Sequence, residues 1–150
     1  MDYSSLLILN LLATALLTGL IWMVQLVHYP GFAYVSQQAC TAYQHQHTRR
    51  IAWLVIPLML AELALTGWLS WLVVSRGLAA HALLYWLAAG CVVLVWGITF
   101  LVFVPLHARL QQEGYTPVLT QKLVLWNWPR TLLWSIRCLL LSYLLLEGYH

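Results

Sequence analysis

The chain reads as an all-α integral membrane protein: an antiparallel four-transmembrane-helix bundle with an interfacial helical extension before the second crossing. Two observations carry that expectation. Of 150 residues, 63% are hydrophobic and only 7% are charged, against roughly 25% charged in soluble domains. Four apolar stretches, about residues 5–28, 51–74, 79–105 and 122–146, are each long enough to cross ~30 Å of hydrocarbon at ~20 residues per helix. Little chain remains for a second domain, so a single membrane domain is expected. The net charge of +3 comes from basic residues placed as lipid topology requires, and no basic patch needs a nucleic acid to explain it.

The first crossing has Asp2 and no basic residue ahead of it, and its apolar run is longer than a signal-peptide core, so it is expected to be a mature helix. It closes on His28, Tyr29, Pro30 and Gly31, where proline and glycine predict termination. Gln25 and His28 are three residues apart and share a face, with Trp22 about a turn deeper. Residues 32–50 are the most polar stretch and suit an interfacial helix. There Tyr43 and His47 face one way, at i and i+4, while His45 points elsewhere.

The second crossing holds Pro57 and the acidic Glu62, which lies ~11 residues past the start, or about 16 Å deep at helical rise. A short turn over Ser75 to Leu78 predicts an antiparallel neighbour. The third crossing closes on Pro105, His107 and Arg109, with Thr99, Phe103 and His107 on one face. A short loop with Gly114 and Pro117 follows. In the fourth crossing Asn127, Arg130, Trp134 and Arg137 fall at offsets of 3, 4 and 3, which makes one stripe on an apolar helix. Arginines within a membrane are costly unless they face protein or water, so the stripe must face inward. Arg137 comes close to the level of Glu62, and a buried ion pair is expected. That pair could fix helix register or take part in binding substrate.

Arg49, Arg50, Arg109, Lys122 and Arg130 lie toward one membrane face, against Arg76 in the opposite turn. The positive-inside bias places the first face in the cytoplasm and both termini on the non-cytoplasmic side, in a bacterial inner membrane. Cys91 and Cys138 fall inside predicted spans without CxxC spacing, and with Cys40 they read as small apolar residues. Gly90 and Gly97 could permit close helix approach. There is no evident internal repeat.

The candidate site is the cytoplasmic end of the bundle, where His28, His47, His107, Asn127 and Arg130 converge. His28 and His107 are candidate acid–base groups because imidazole titrates near neutrality, and Asn127 and Arg130 can stabilise a developing oxyanion. Gln25, Trp22, Tyr43, Glu62, Thr99, Trp126, Trp134 and Arg137 are candidate substrate-binding residues. His28, His47 and His107 could instead ligate a metal or haem, since three imidazoles leave an open position, although no HExxH motif is present. Interfacial histidines bonded to backbone are the plainer alternative. Trp53, Trp68, Trp71 and Trp86 suit the membrane interface; Trp22, Trp96, Trp126, Trp128 and Trp134 lie on the polar side, where some should line a cavity. No nucleophile–base pair, phosphate-cradling loop or catalytic carboxylate pair is evident, which argues against hydrolytic and nucleotide-driven mechanisms. The remaining set suits proton and electron chemistry on a hydrophobic molecule.

The stretches TFLVFVPLHARL and LVLWNWPRTLLWSIRCLLL resemble the small four-helix membrane proteins related to the anthrone oxygenase family. The matching positions are Pro105, His107, Trp126, Arg130 and Thr131, over about a third of the chain. His107 stands where that family often has Asn, and the histidine-rich 43–50 stretch is a departure. The resemblance implies a four-helix fold and cofactor-independent oxygenation of an electron-rich polycyclic phenol, with His28 or His107 as base. The function expected is a membrane-embedded oxidoreductase or oxygenase-like enzyme acting on a lipophilic aromatic or quinone-like small molecule. Alternatives are a haem- or metal-binding membrane subunit of a redox complex, and a small transporter or scaffold. The expected partners are the lipid bilayer, a lipophilic small molecule and either further copies of the chain or a redox partner.

Overall fold

The computed structural model describes residues 2–35, 37–77, 82–113 and 116–147, except for the side chains of residues 33, 37–41, 113 and 117. The described chain is helical almost throughout. Helix α1 (Tyr3–Met23) passes through a π-turn (Val24–His28) into the short α2 (Tyr29–Gly31) and a 3₁₀ turn (Phe32–Tyr34). Helix α3 spans Gln37–Ser75. Helix α4 (Ala82–Ile98) continues through a second π-turn (Thr99–Phe103) into α5 (Val104–Glu113), and α6 covers Pro117–Glu147. Four stretches, Tyr3–Gly31, Ala42–Ser75, Ala82–Gln112 and Val118–Glu147, are long and apolar enough to cross a membrane.

Several boundaries differ from the sequence expectation: the third run continues past Pro105 to Glu113 and the fourth begins at Pro117 rather than Lys122, and two further differences concern the first half of the chain. The first helical run does not stop at His28 but carries on through Pro30 to Gly31. Proline lacks an N–H, and in a regular helix its ring strikes the carbonyl four residues back. Here that carbonyl, on Leu26, lies within the π-turn, where Tyr29 N–H bonds to Val24 O five residues back. The same device recurs at Pro105, where Val104 N–H bonds to Thr99 O. The short echo LVHYP and LVFVP, at residues 26–30 and 101–105, marks both sites. The second difference is that the polar extension and the second crossing form one continuous helix, with Pro57 inside it.

Helix α1 packs on α3 and α6, and α4 packs on α6 and less extensively on α3. The order around the ring is therefore α3, α1, α6, α4. One apolar core joins Leu6 and Leu7 of α1, Leu69 and Leu72 of α3, Tyr85 and Ala88 of α4, and Leu141 and Leu144 of α6. A second joins Leu17, Ile21, Met59, Val95, Phe103, Leu110, Leu123 and Trp134. Outward positions are equally apolar, with Trp53, Val93, Leu101 and Leu139 exposed. An apolar surface of this extent suits lipid rather than water.

Gly77 takes a positive φ of 60° in the turn after α3, a conformation that costs glycine nothing. Leu78 at the end of the expected turn, the expected start of the third crossing at Ala79, Gly114, and the side chains of Cys40 and Pro117 lie outside the described residues and atoms. A Cβ added at Gly90 or Gly97 would meet nothing within 4 Å, so neither glycine serves a close approach. Fully buried Ala88 is the small residue at the α4–α6 contact instead.

Candidate functional site

Between the two apolar cores lies a polar layer built on helical i, i+4 spacing: Asn10 and Thr14 of α1, Glu62 and Thr66 of α3, and Arg137 of α6, all buried. Arg137 Nε donates to Glu62 Oε1 at 3.0 Å and to Thr14 Oγ1 at 3.1 Å. Its Nη2 donates to Asn10 Oδ1 at 2.7 Å and Thr66 Oγ1 at 2.8 Å, and its Nη1 to the Ala88 carbonyl. Glu62 Oε1 also accepts from Thr14 Oγ1 at 2.8 Å, and Oε2 accepts from Trp134 Nε1 at 3.2 Å. The expected Glu62–Arg137 pair is therefore formed. Both charges are met by protein groups, which is what a buried pair requires.

One turn beyond Trp134 toward the start of α6, the helices part around a cavity of about 230 Å³. Leu17, Ile21, Val24, Ile51, Val55 and Trp134 form its apolar walls, and His47, Thr48, Thr99, His107, Arg130 and Tyr29 form its polar side. Thr99 Oγ1 is spent on the Val95 carbonyl at 2.7 Å. Thr48 Oγ1 is buried and has no hydrogen-bond partner. The apolar majority with a few convergent polar groups is the usual make-up of a small-molecule site.

Arg130 dominates the polar side. Only 7% exposed, it donates from Nη1 to Asn127 Oδ1 at 3.4 Å, and its Nε has no partner. Its guanidinium stacks over Phe103 at 4.4 Å and Trp134 at 5.1 Å, with the Tyr29 hydroxyl group beside it. Cation–π contacts hold such a group without neutralising it. Asn127 Nδ2 in turn donates to Gln25 Oε1 at 2.9 Å, and Gln25 Nε2 to the Val124 carbonyl at 3.2 Å. Asn127 and Gln25 thus stand behind Arg130 as positioning groups and do not line the cavity.

The histidines separate into layers. His107 lines the cavity, and its Nδ1 lies 2.9 Å from Gln44 Nε2. An amide nitrogen can only donate, so Nδ1 accepts and the proton of the neutral ring sits on Nε2. Turning the Gln44 amide over would put the proton on Nδ1 and leave Nε2 free to act as a base. His47 also lines the cavity, with its ring stacked on His28 at 3.7 Å. His28 stands behind it, with Nε2 buried and unpartnered, and is not a wall residue. Tyr43 lies on the same side, 6.3 Å from His28, while His45 is exposed. Among the described residues no group of three or more His, Cys, Asp or Glu side chains is disposed to hold a metal. Of the three expected metal-ligating histidines, His28 and His47 stack face to face and Gln44 meets Nδ1 of His107.

Other expected binding residues are placed elsewhere. Glu62 and Arg137 belong to the polar layer and are outside the cavity wall. Trp22 Nε1 donates to Ser135 Oγ at 3.0 Å and packs edge-on against Trp128 at 5.8 Å. Trp126 lies in an outer groove with Pro105, Arg109 and Lys122. Trp96 packs on Phe100, so of the five tryptophans on the polar side only Trp134 reaches the cavity. Sequence reasoning missed Thr48, Tyr29 and Gln44 as site residues, and Asn10 and Thr66 in the polar layer. The i, i+4 pairs Asn10–Thr14 and Glu62–Thr66 were the signal for the last two. Comparison with protein-family models, characterised proteins and solved structures gives no match to the chain.

Proposed function

We propose that the protein is a membrane-embedded oxidoreductase of oxygenase type, acting on a lipophilic aromatic or quinone-like small molecule in the cavity between its helices. The observation that supports this most is the cavity itself, where apolar walls meet two imidazoles, His47 and His107, and the buried guanidinium of Arg130. At about 230 Å³ it falls below the ~300–1,000 Å³ of ordinary ligand pockets, so one or two fused rings suit it better than a longer polycycle. Cavity imidazole takes a proton from a ring methylene that a carbonyl acidifies, either adjacent to it or across a fused aromatic ring as in anthrone, and the electron pair of the broken C–H bond is delocalised onto the carbonyl oxygen. Arg130 stabilises the resulting enolate. Dioxygen accepts the pair at carbon; the peroxide takes up the proton and loses water, which leaves a second ring carbonyl. The net change is R₂CH₂ + O₂ → R₂C=O + H₂O. His47 replaces His28 beside His107 as a candidate base, since His28 is screened from the cavity.

Oxygen uptake by the protein in phosphatidylcholine nanodiscs, over a panel of one- to three-ring benzylic ketones including anthrone, tests this reading. The expected result is uptake with at least one compound, falling by about 100-fold or more in His107→Ala or Arg130→Gln, in line with general-base and oxyanion contributions. No uptake with any compound, or full uptake in both variants, contradicts it. The same reading sets the four spans antiparallel in a bacterial inner membrane with both termini outside, since Arg49, Arg50, Arg109 and Lys122 share one end and Arg76 has the other. In a variant otherwise free of cysteine, a thiol at Gly77→Cys should then be labelled by an impermeant reagent in spheroplasts, and one at Arg50→Cys should stay shielded there until the inner membrane is opened; labelling of Arg50→Cys in intact spheroplasts would invert the orientation.

A further inference from the structure

We infer that the cavity holds its ligand as an anion, either formed there by proton loss or bound already ionised: a small lipophilic acid such as an enol, phenol or hydroxyquinone, whose oxyanion rests on Arg130 and the Thr48 hydroxyl. This rests on the reading of the cavity as the ligand site and goes further, because it fixes the charge of what binds.

The argument comes from two arginines on one face of α6. Arg137 is surrounded by acceptors on four helices, including the Glu62 carboxylate at 3.0 Å. Arg130, seven residues earlier, is also buried, yet it meets only the neutral Asn127 amide at 3.4 Å and the neutral Tyr29 hydroxyl, and its Nε has no partner. Among the described residues no carboxylate meets it. The sequence has four acidic residues: Glu62 is committed to Arg137, Asp2 begins α1, and Glu147 ends α6, far along that helix from Arg130. The side chain of Glu113 lies outside the described atoms. A buried cation without a counter-charge is expensive, and aromatic faces and a neutral hydroxyl compensate it only in part. It also opens onto a cavity whose wall holds a second buried donor without a partner, Thr48 Oγ1. A neutral carbonyl could accept these donors, but only an oxyanion supplies the missing charge as well. In an apolar enclosure that charge-assisted bond is the stronger one.

The test compares 2-hydroxy-1,4-naphthoquinone, an acidic enol ionised at neutral pH, with its neutral 2-methoxy ether. Binding to the protein in phosphatidylcholine nanodiscs is measured by calorimetry against empty discs. The expected result is that the acid binds about tenfold or more tighter than the ether, as a charge-assisted bond implies. Arg130→Gln should abolish this preference and Arg130→Lys should keep part of it. Equal binding of the two compounds, or an undiminished preference in Arg130→Gln, overturns the inference and leaves the ligand site standing. Binding of neither above empty discs overturns both. Should Arg130→Gln fail to fold, Thr48→Val decides: weaker binding of the acid with the ether unchanged supports the inference, and unchanged binding of the acid overturns it.

Discussion

Glu62 and Arg137 are each fully buried, and the cost of removing them from water is offset only while both are present. Glu62→Gln leaves a guanidinium without a counter-charge, and Arg137→Leu leaves a carboxylate with only Thr14 and Trp134 as donors. Each single change should destabilise the fold by about 3–5 kcal/mol, read as a lower unfolding midpoint in detergent. The pair Glu62→Leu with Arg137→Met should cost less than the sum of the singles. An unchanged midpoint in either single variant would show that the pair does not hold the helices. This pair was legible in the sequence, because depth along two helices places both charges near one level. The solitude of Arg130 was not legible. Arg130 and Arg137 lie on one stripe of α6, and what separates them is what α1, α3 and α4 bring opposite each, a matter of packing that spacing within α6 cannot contain.

The elements gain their site geometry from the two π-turns. In a regular helix of about 100° per residue, Thr99, Phe103 and His107 would drift by roughly 80° over eight residues. The wider turn at Thr99–Phe103 slows that rotation, and all three line the cavity. Their shared face was legible, whereas the π-turn was not. Proline followed by glycine at 30–31 signalled a helix end, and the local widening that lets the chain continue has no strong propensity signature. The polar run at 32–50 reads as a separate interfacial piece by composition, yet from Gln37 on it propagates into the apolar helix without a break because no proline or glycine there terminates a helix. Close contact between α4 and α6 depends on Ala88, whose carbonyl accepts from Arg137. Ala88→Leu should therefore cost about 1–3 kcal/mol by overpacking, whereas Gly90→Ala should be neutral or mildly stabilising, since a Cβ there meets nothing within 4 Å. Equal midpoints for Ala88→Leu and the wild type would refute the close contact.

At the scale of the molecule, an apolar exterior surrounds two cores, a saturated polar layer between them and a cavity on one side of that layer. Composition and four long apolar runs made legible an all-helical chain with four helices long and apolar enough to cross a membrane. The site was legible as a convergence of polar side chains at one end of the helices, but its inner arrangement was not: His28 was expected at the centre and is screened by His47, and Trp126 was expected inside and faces outward. The polar layer ties four helices together, and the cavity with its unmatched cation is the ligand site we propose. Binding of 2-hydroxy-1,4-naphthoquinone to wild type and to Val55→Phe, in phosphatidylcholine nanodiscs, tests that claim most directly. Val55 lines the apolar wall, so phenylalanine there takes up cavity space while Arg130, His107 and the ion pair are left unsubstituted. The account predicts saturable binding to wild type and its loss in Val55→Phe at an unchanged unfolding midpoint; equal binding by a folded Val55→Phe would contradict it.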